Sequence, residues 1–198
     1  LHTMSSRCYK ESEKDTSDMW VAEVKNKGLQ CIAITDHNDY RGIDAIKKLC
    51  EQEGIIAFPG VELSCDSSKI HLLILFDVNC NGSRVQEFLN QVNIFSDSLG
   101  DSGHTCKGDI FEVCEKAQEM GGLVIAAHID EFNGINEISY DNIKEILDRK
   151  YINAVQIVNY NIWNDYEKNN DIKEVGKRLS DKYGKSISED KIKTWYNA

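Results

Sequence analysis

Residues Ile32 to Asn38, Ile-Ala-Ile-Thr-Asp-His-Asn, constrain this chain more than any other stretch. The apolar positions Cys31 to Ile34 predict a strand buried on both faces, and the polar run Thr35-Asp36-His37-Asn38 follows at its C-terminal end. Parallel α/β folds carry their chemistry at that end of their strands. The layout recurs downstream. Ile55 to Phe58 runs into Pro59-Gly60-Val61-Glu62-Leu63-Ser64, Ile70 to Phe76 carries His71 inside an apolar run, and Leu123 to Ala127 ends in His128-Ile129-Asp130.

Four of the five histidines, His2, His37, His71 and His128, therefore fall in or beside predicted strands rather than on helix surfaces. Imidazoles and carboxylates converging on one rim of a sheet or barrel make a metal site. Any one of these histidines alone reads as a hydrogen-bonded polar residue. The joint pattern is what points to ligation. Mixed imidazole and carboxylate donors suit Zn, Mn or Fe better than Ca. Two divalent ions bridged by a carboxylate, about 3.5 to 4 Å apart, clamp the attacking and leaving oxygens of a phosphoester.

The chain has 198 residues, 41% hydrophobic and 28% charged, which is enough to bury a core and argues against disorder. Its formal net charge of -10 opposes a broad, non-specific surface for a nucleic-acid backbone. It does not exclude a phosphoester substrate, because bound cations dominate the local field of a metal site. The seven cysteines contain no C-x-x-C pair; Cys31, Cys50 and Cys114 fall where strand or helix interiors are expected, so free buried thiols in a reducing compartment are the reading. No apolar run approaches the roughly 20 residues of a membrane span. A cytoplasmic location is the expectation, with no membrane partner.

Taken in order, the chain alternates. Leu1 to Tyr9 reads as a strand end and polar loop, Glu11 to Asp15 as a solvated loop, and Thr16 or Ser17 as the cap of a helix stopped by Gly28. Helices are expected at about Gly42 to Glu53, from Gly82 or Ser83 through Val92 and Phe95, at Asp109 to Met120, and after Ser139 or Asp141. Pro59 is expected to end the strand Ile55 to Phe58, and Ala154 to Val158 is the last expected strand. The charged tail, 171–183 and 188–196, reads as helical, with Trp163 and Tyr166 packing it on the barrel. This βαβα alternation predicts a parallel sheet closed, or nearly closed, into a barrel.

Five segments, Leu1-His2-Thr3-x-x-Ser6, Ile34-Thr35-Asp36-His37-Asn38, Pro59 to Ser64, Ile70 to Leu73 and Ala127 to Asp130, resemble in order and spacing the motifs of the PHP (polymerase and histidinol phosphatase) superfamily of metal-dependent phosphoesterases. The resemblance implies an α/β fold, a distorted (β/α)7 TIM-like barrel over residues 1–160, truncated at both ends, with 161–198 a charged helical segment. It is most similar to the branch attached to SMC-like or AAA-type ATPases, so an ATPase domain in the same parent chain is the implied partner. It implies two or three divalent ions. His2 would match the second histidine of the family's His-x-His and, with Glu62, hold one ion; Glu62 would bridge to a second held by His71 and His128; His37 would serve a third. Cys8 falls where a family ligand often lies, and Asp36 becomes a carboxylate behind the ligands or in proton handling. The family's closing Asp-x-His has no counterpart after residue 130, and a fragment of a longer protein is expected.

Around these, Arg7 and Arg41 are candidates for holding a substrate phosphate, though both also read as solvated surface arginines. Asp130 either orients a ligand imidazole or caps its loop, and His104 is read as structural or exposed. The function expected is metal-dependent hydrolysis of a phosphomonoester or a nucleic-acid phosphodiester. The alternative is a non-catalytic PHP domain that packs against an ATPase or polymerase. An unrelated amidohydrolase barrel is opposed by the Pro-Gly-Val-Glu segment and by the lack of a strand-end lysine.

Overall fold

The computed structural model describes residues 1–9, 16–65, 69–131, 133–161, 164, 171–183 and 188–190. Packing divides the chain into two units, Leu1–Val124 and Ile125–Ala198. The expected loop Glu11 to Asp15, the packing of Trp163 and Tyr166, and most of the 188–196 helix lie outside the described residues. Among those described, no helix is long and apolar enough to cross a membrane.

The first unit is a mixed α/β layer. Thr16 accepts from Met19 N–H to cap α1 (Ser17–Asn26), and Gly28, at φ 71, takes the chain out of that helix into β1 (Cys31–Ile34). In α2 (Ile43–Gln52) the buried positions Ile43, Ile46 and Cys50 form one apolar stripe, and Gly54 at φ 71 ends it. β2 (Ile56–Cys65) and β3 (Ile70–Leu75) follow, then α3 (Gly82–Gln91), capped by Asn81, and α4 (Ile110–Glu119), capped by Asp109. Ile34, Val61, Leu63, Leu72, Ile74, Phe88, Leu89 and Ile110 are among the core residues closed to solvent. Cys114 is part of this core; burial and the charge of Asp109 push its thiol up to about 12, so it packs as a protonated hydrophobe.

Three expectations fail here for identifiable reasons. First, β1 is not buried on both faces: Ile32 and Ile34 point into the core, whereas Ala33 is half-buried and Cys31 is exposed, so Cys31 is no core thiol. Second, the sheet is not all parallel. β1 pairs with β2 in parallel, from Cys31 opposite Ile56 to Ile34 opposite Pro59, but β2 then pairs with β3 antiparallel, from Gly60 opposite Leu75 to Cys65 opposite Ile70. A run of apolar residues encodes burial and not direction.

Third, Pro59 does not end a strand. It lies where β2 exchanges one neighbour for the other, and its carbonyl accepts from Phe76 N–H. A proline lacks a ladder donor and is tolerated where pairing changes hands. Gly60 beside it has no room for a side chain: a Cβ would stand 2.6 Å from Leu75 Cδ2 and 2.7 Å from Ile74 O. α3 also stops short of Val92 and Phe95, and Phe95 is exposed.

In the second unit, β4 (Leu123–Ala126), which begins in the first, pairs in parallel with a short β5 (Ala154–Val155) through Ile125 opposite Ala154 and Ala126 opposite Val155. β5 is only two residues long, not the Ala154 to Val158 run expected, because Val158 N–H and Asn159 N–H turn to the Asp130 carboxylate. Ser139 caps α5 (Tyr140–Asp148), which buries Ile143 and Ile146, and α6 (Ile172–Tyr183) follows.

Gly60→Ala forces its methyl against backbone as well as a leucine. We expect it to cost about 1–3 kcal/mol, as overpacking does, read as a lower urea midpoint. An unchanged midpoint would show that the β2–β3 crossing is slack.

Candidate metal centre

Glu62 lies on β2 and His71 on β3, where Glu62 is opposite Leu73 and Ser64 is opposite His71. Glu62 and His71 are thus diagonal neighbours on one face, a separation that long side chains span. His71 Nδ1 lies 2.8 Å from Glu62 Oε1. The other carboxylate oxygen, Oε2, lies 2.7 Å from His2 Nε2. Glu62, His37 and His71 are all buried. A carboxylate at that depth requires charged or hydrogen-bonding partners, and an imidazole on each oxygen supplies them.

His37 reaches the same place from the end of β1. Beyond Ile34 the chain stays in register with β2: Glu62 N–H donates to Asp36 O at 3.1 Å, and Asn38 N–H donates to Glu62 O at 3.0 Å. The rings of His2 and His37 stand edge to face with centroids 4.5 Å apart, and those of His37 and His71 at 4.9 Å. Cys8 Sγ lies 3.0 Å from His2 Nδ1. Donor atoms of His2, Cys8 and His37 all lie within 4.8 Å of one another, as do those of His37, Glu62 and His71. These donor types, at this spacing, fit divalent cations of the Zn, Fe and Mn kind. Partial burial and the negative charge of Glu62 push the Cys8 thiol above its ordinary pKa.

The loop carrying His2 and Cys8 is held by Asp36. Asp36 Oδ1 accepts from Thr3 N–H at 2.6 Å and Ser6 Oγ at 3.0 Å, and Oδ2 accepts from Thr3 Oγ1 at 2.7 Å. Ser6 Oγ in turn accepts from His37 N–H at 2.8 Å. Asp36 is buried beneath the loop, a position that serves to hold ligands in place. Arg7 is largely exposed and pairs with Asp101 at 2.9 Å. Arg41 grips the fully buried Asp39 carboxylate through Nε and Nη2, and that hydrogen bonding raises its pKa.

Other positioning residues were not visible in the sequence. Asn38, in the left-handed region at φ 49, donates through Nδ2 to Asp101 O and His104 O, both at 2.8 Å, and accepts from Ser64 N–H at 3.1 Å. Ser64 Oγ donates to Ser102 O at 2.9 Å. The 101–104 loop is thereby fastened beside Glu62 and His37, with His104 exposed at its surface. The hydroxyl spacing Thr3-x-x-Ser6 was the one readable hint of the Asp36 clasp.

The structure thus brings together His2, Cys8, His37, Glu62 and His71, with Asp36 under them, and ties Arg7 to Asp101. His128 belongs to the second unit. It follows β4 at φ 29, a costly conformation for a residue with a β-carbon, and its N–H donates to Gln156 Oε1 at 3.0 Å. The Asp130 carboxylate accepts from Val158 N–H and Asn159 N–H, both at 2.9 Å, which ties it to a segment 28 and 29 residues further on.

A mixed α/β fold bearing a histidine, carboxylate and thiol cluster at the ends of its strands defines a candidate metal-dependent hydrolase. The PHP domain family model matches residues 1–187, and the chain belongs to that family. Among solved structures it is similar to a protein assigned as a metal-dependent phosphoesterase from Bifidobacterium adolescentis, with a TM-score of 0.55 and 15% identity over 78% of this chain and 74% of that one. An amidohydrolase from Chromobacterium violaceum, holding sulfate and no metal, matches with a TM-score of 0.54 and 14% identity over the same shares, 78% and 74%. A lesion-specific endonuclease from Pyrococcus furiosus matches with a TM-score of 0.53 and 19% identity over 73% of this chain and 37% of that one. At these identities the likeness shows the fold: this is the PHP TIM-like architecture, matched over part of its length. No curated protein matches the chain.

Asp36→Asn replaces a charged acceptor of three buried donors by an amide. Hydrogen bonds to charged groups contribute roughly 1.5–3 kcal/mol each, so we expect a loss of at least about 2 kcal/mol in denaturant unfolding. Arg7→Ala removes an exposed pair and should cost less than about 1 kcal/mol. Equal effects of the two substitutions would contradict the clasp.

Proposed function

We propose that this chain hydrolyses a phosphoester with divalent cations held by His2, His37, Glu62 and His71, Cys8 standing beside them. The observation that carries the reading is Glu62: a buried carboxylate with an imidazole on each oxygen and a third imidazole within ligand reach. The two donor groups share His37, whose imidazole nitrogen serves one cation at a time, so a second cation would draw on Glu62 and His71. Family membership and structural neighbours named as a phosphoesterase and an endonuclease support the same reaction class. Zn, Mn and Fe all suit the donors.

Bound cations would polarise the phosphoryl oxygens and make water nucleophilic near neutral pH. The chain's own residues do the rest. Glu62, on β2, holds His71 of β3 by one oxygen and His2 of the N-terminal loop by the other. Asp36 holds the Thr3–Ser6 loop so that His2 faces Glu62, and Ser6 sets the His37 backbone. Arg7, exposed and carrying spare N–H donors beyond its bonds to the Asp101 carboxylate and Asp97 O, is placed to bind a substrate phosphate.

The substrate is a phosphomonoester or a short stretch of nucleic-acid phosphodiester. The net charge of -10 disfavours extended contact with a polyanion, so recognition is confined to the cation site.

In assays with Mn(II) or Zn(II) on an aryl phosphate and on short oligonucleotides, Glu62→Gln should lower turnover by more than the roughly 10- to 100-fold that loss of an outer ligand partner causes. His71→Ala should do the same, and a chelator should abolish activity in the parent protein. Turnover that survives both the chelator and Glu62→Gln would end the proposal.

A further inference from the structure

We infer that Cys8 is a thiolate ligand that makes one cation position selective for Zn(II) or Fe(II) over Mn(II) and Mg(II). The inference rests on the metal-dependent reading above and adds to it an inequality between the two donor groups. His2, Cys8 and His37 offer two nitrogens and a sulfur; His37, Glu62 and His71 offer two nitrogens and an oxygen. Thiolate sulfur discriminates sharply among first-row cations, binding Zn(II) and Fe(II) well and Mn(II) and Mg(II) poorly, whereas a carboxylate accepts all of them. Three protein donors is also the ligand count of reactive zinc sites, whose fourth ligand is water or substrate.

Cys8 is held where this requires. Its loop is fastened on one side by Thr3 and Ser6 to Asp36, and on the other by Arg7 N–H to Gly100 O at 2.9 Å and Tyr9 N–H to Ser6 O at 3.0 Å. Gly100, at φ 79, packs so closely on that loop that a Cβ there would stand 2.5 Å from Ser5 O. The loop therefore holds the sulfur 3.0 Å from His2 Nδ1. When a cation binds, the S–H bond breaks, the proton passes to solvent and the sulfur lone pair forms the bond to the metal. Cys8 and Cys31 are both exposed, but Cys31 is in neither donor group, so it is an internal reference for the same experiment.

The test is alkylation of the full chain by iodoacetamide, with each cysteine followed by peptide mass spectrometry. Zn(II) should slow modification of Cys8 roughly tenfold or more, since the sulfur electrons are engaged by the metal. Mn(II) and Mg(II) should leave it unchanged, and Cys31 should react alike throughout. With Co(II) as a spectroscopic substitute, the parent should show a sulfur-to-cobalt charge-transfer band that Cys8→Ser lacks. Cys8→Ser should also lose roughly 10- to 100-fold in Zn(II) affinity while its Mn(II) affinity stays the same. Equal alkylation of Cys8 with and without Zn(II), or a charge-transfer band that persists in Cys8→Ser, overturns the inference. Should Zn(II) affinity fall in Glu62→Gln but stay unchanged in Cys8→Ser, the inference fails and the hydrolase reading stands; should the parent bind none of these cations, both fall.

Discussion

The unit depends on one carboxylate kept inside it. Glu62 sits on a strand whose neighbours Val61 and Leu63 are closed to solvent, so its charge has to be met by groups brought from elsewhere. His71 comes from the next strand and His2 from a loop sixty residues earlier in the chain, each taking one oxygen. Burial makes that demand strict, because an unmet carboxylate at this depth costs more than most single interactions return. The geometry that meets the carboxylate's charge also gathers cation donors.

The supporting parts follow from this. β2 must hold a register with β1, so that His37 lies beside Glu62, and with β3, so that His71 lies diagonal to it. It does so by running in parallel with the first and antiparallel to the second, changing partner at Pro59-Gly60. Asp36 serves the third requirement, the loop: its oxygens collect a backbone N–H and two hydroxyls, and through Ser6 it reaches the backbone of His37. A hydrogen-bonded relay of this kind keeps donor side chains at fixed separations without packing them in hydrocarbon.

Much of this was legible from residues alone. An apolar tetrad followed by Thr-Asp-His-Asn marked β1 and its functional end, and glycines at positions 28 and 54 marked the helix stops. The histidines in strands proved informative because His2, His37 and His71 come together with Glu62. Strand direction was not legible, since Ile70 to Leu75 is apolar whichever way it runs. Asp36 was expected behind the ligands, but not the partners that put it there, Thr3 and Ser6, 33 and 30 residues away. Cys31 misled for a related reason: membership of a strand does not say which face a residue occupies, and register decides it. Asn38 read as the tail of a motif, while its amide ties together three segments distant in the chain.

That amide separates anchoring from display. Asn38 binds the carbonyls of Asp101 and His104 and the backbone of Ser64, all main-chain groups, so its share of the hold on the 101–104 loop is blind to side chains, while the Asp101 carboxylate adds bonds to Arg7 and Gly103 N–H. The side chains of Ser102 and His104 take no part in the bonds Asn38 makes. A lineage carrying this fold is therefore free to rewrite the loop's outward vocabulary, and with it the ligands the protein favours, while the cluster next to it stays as it was.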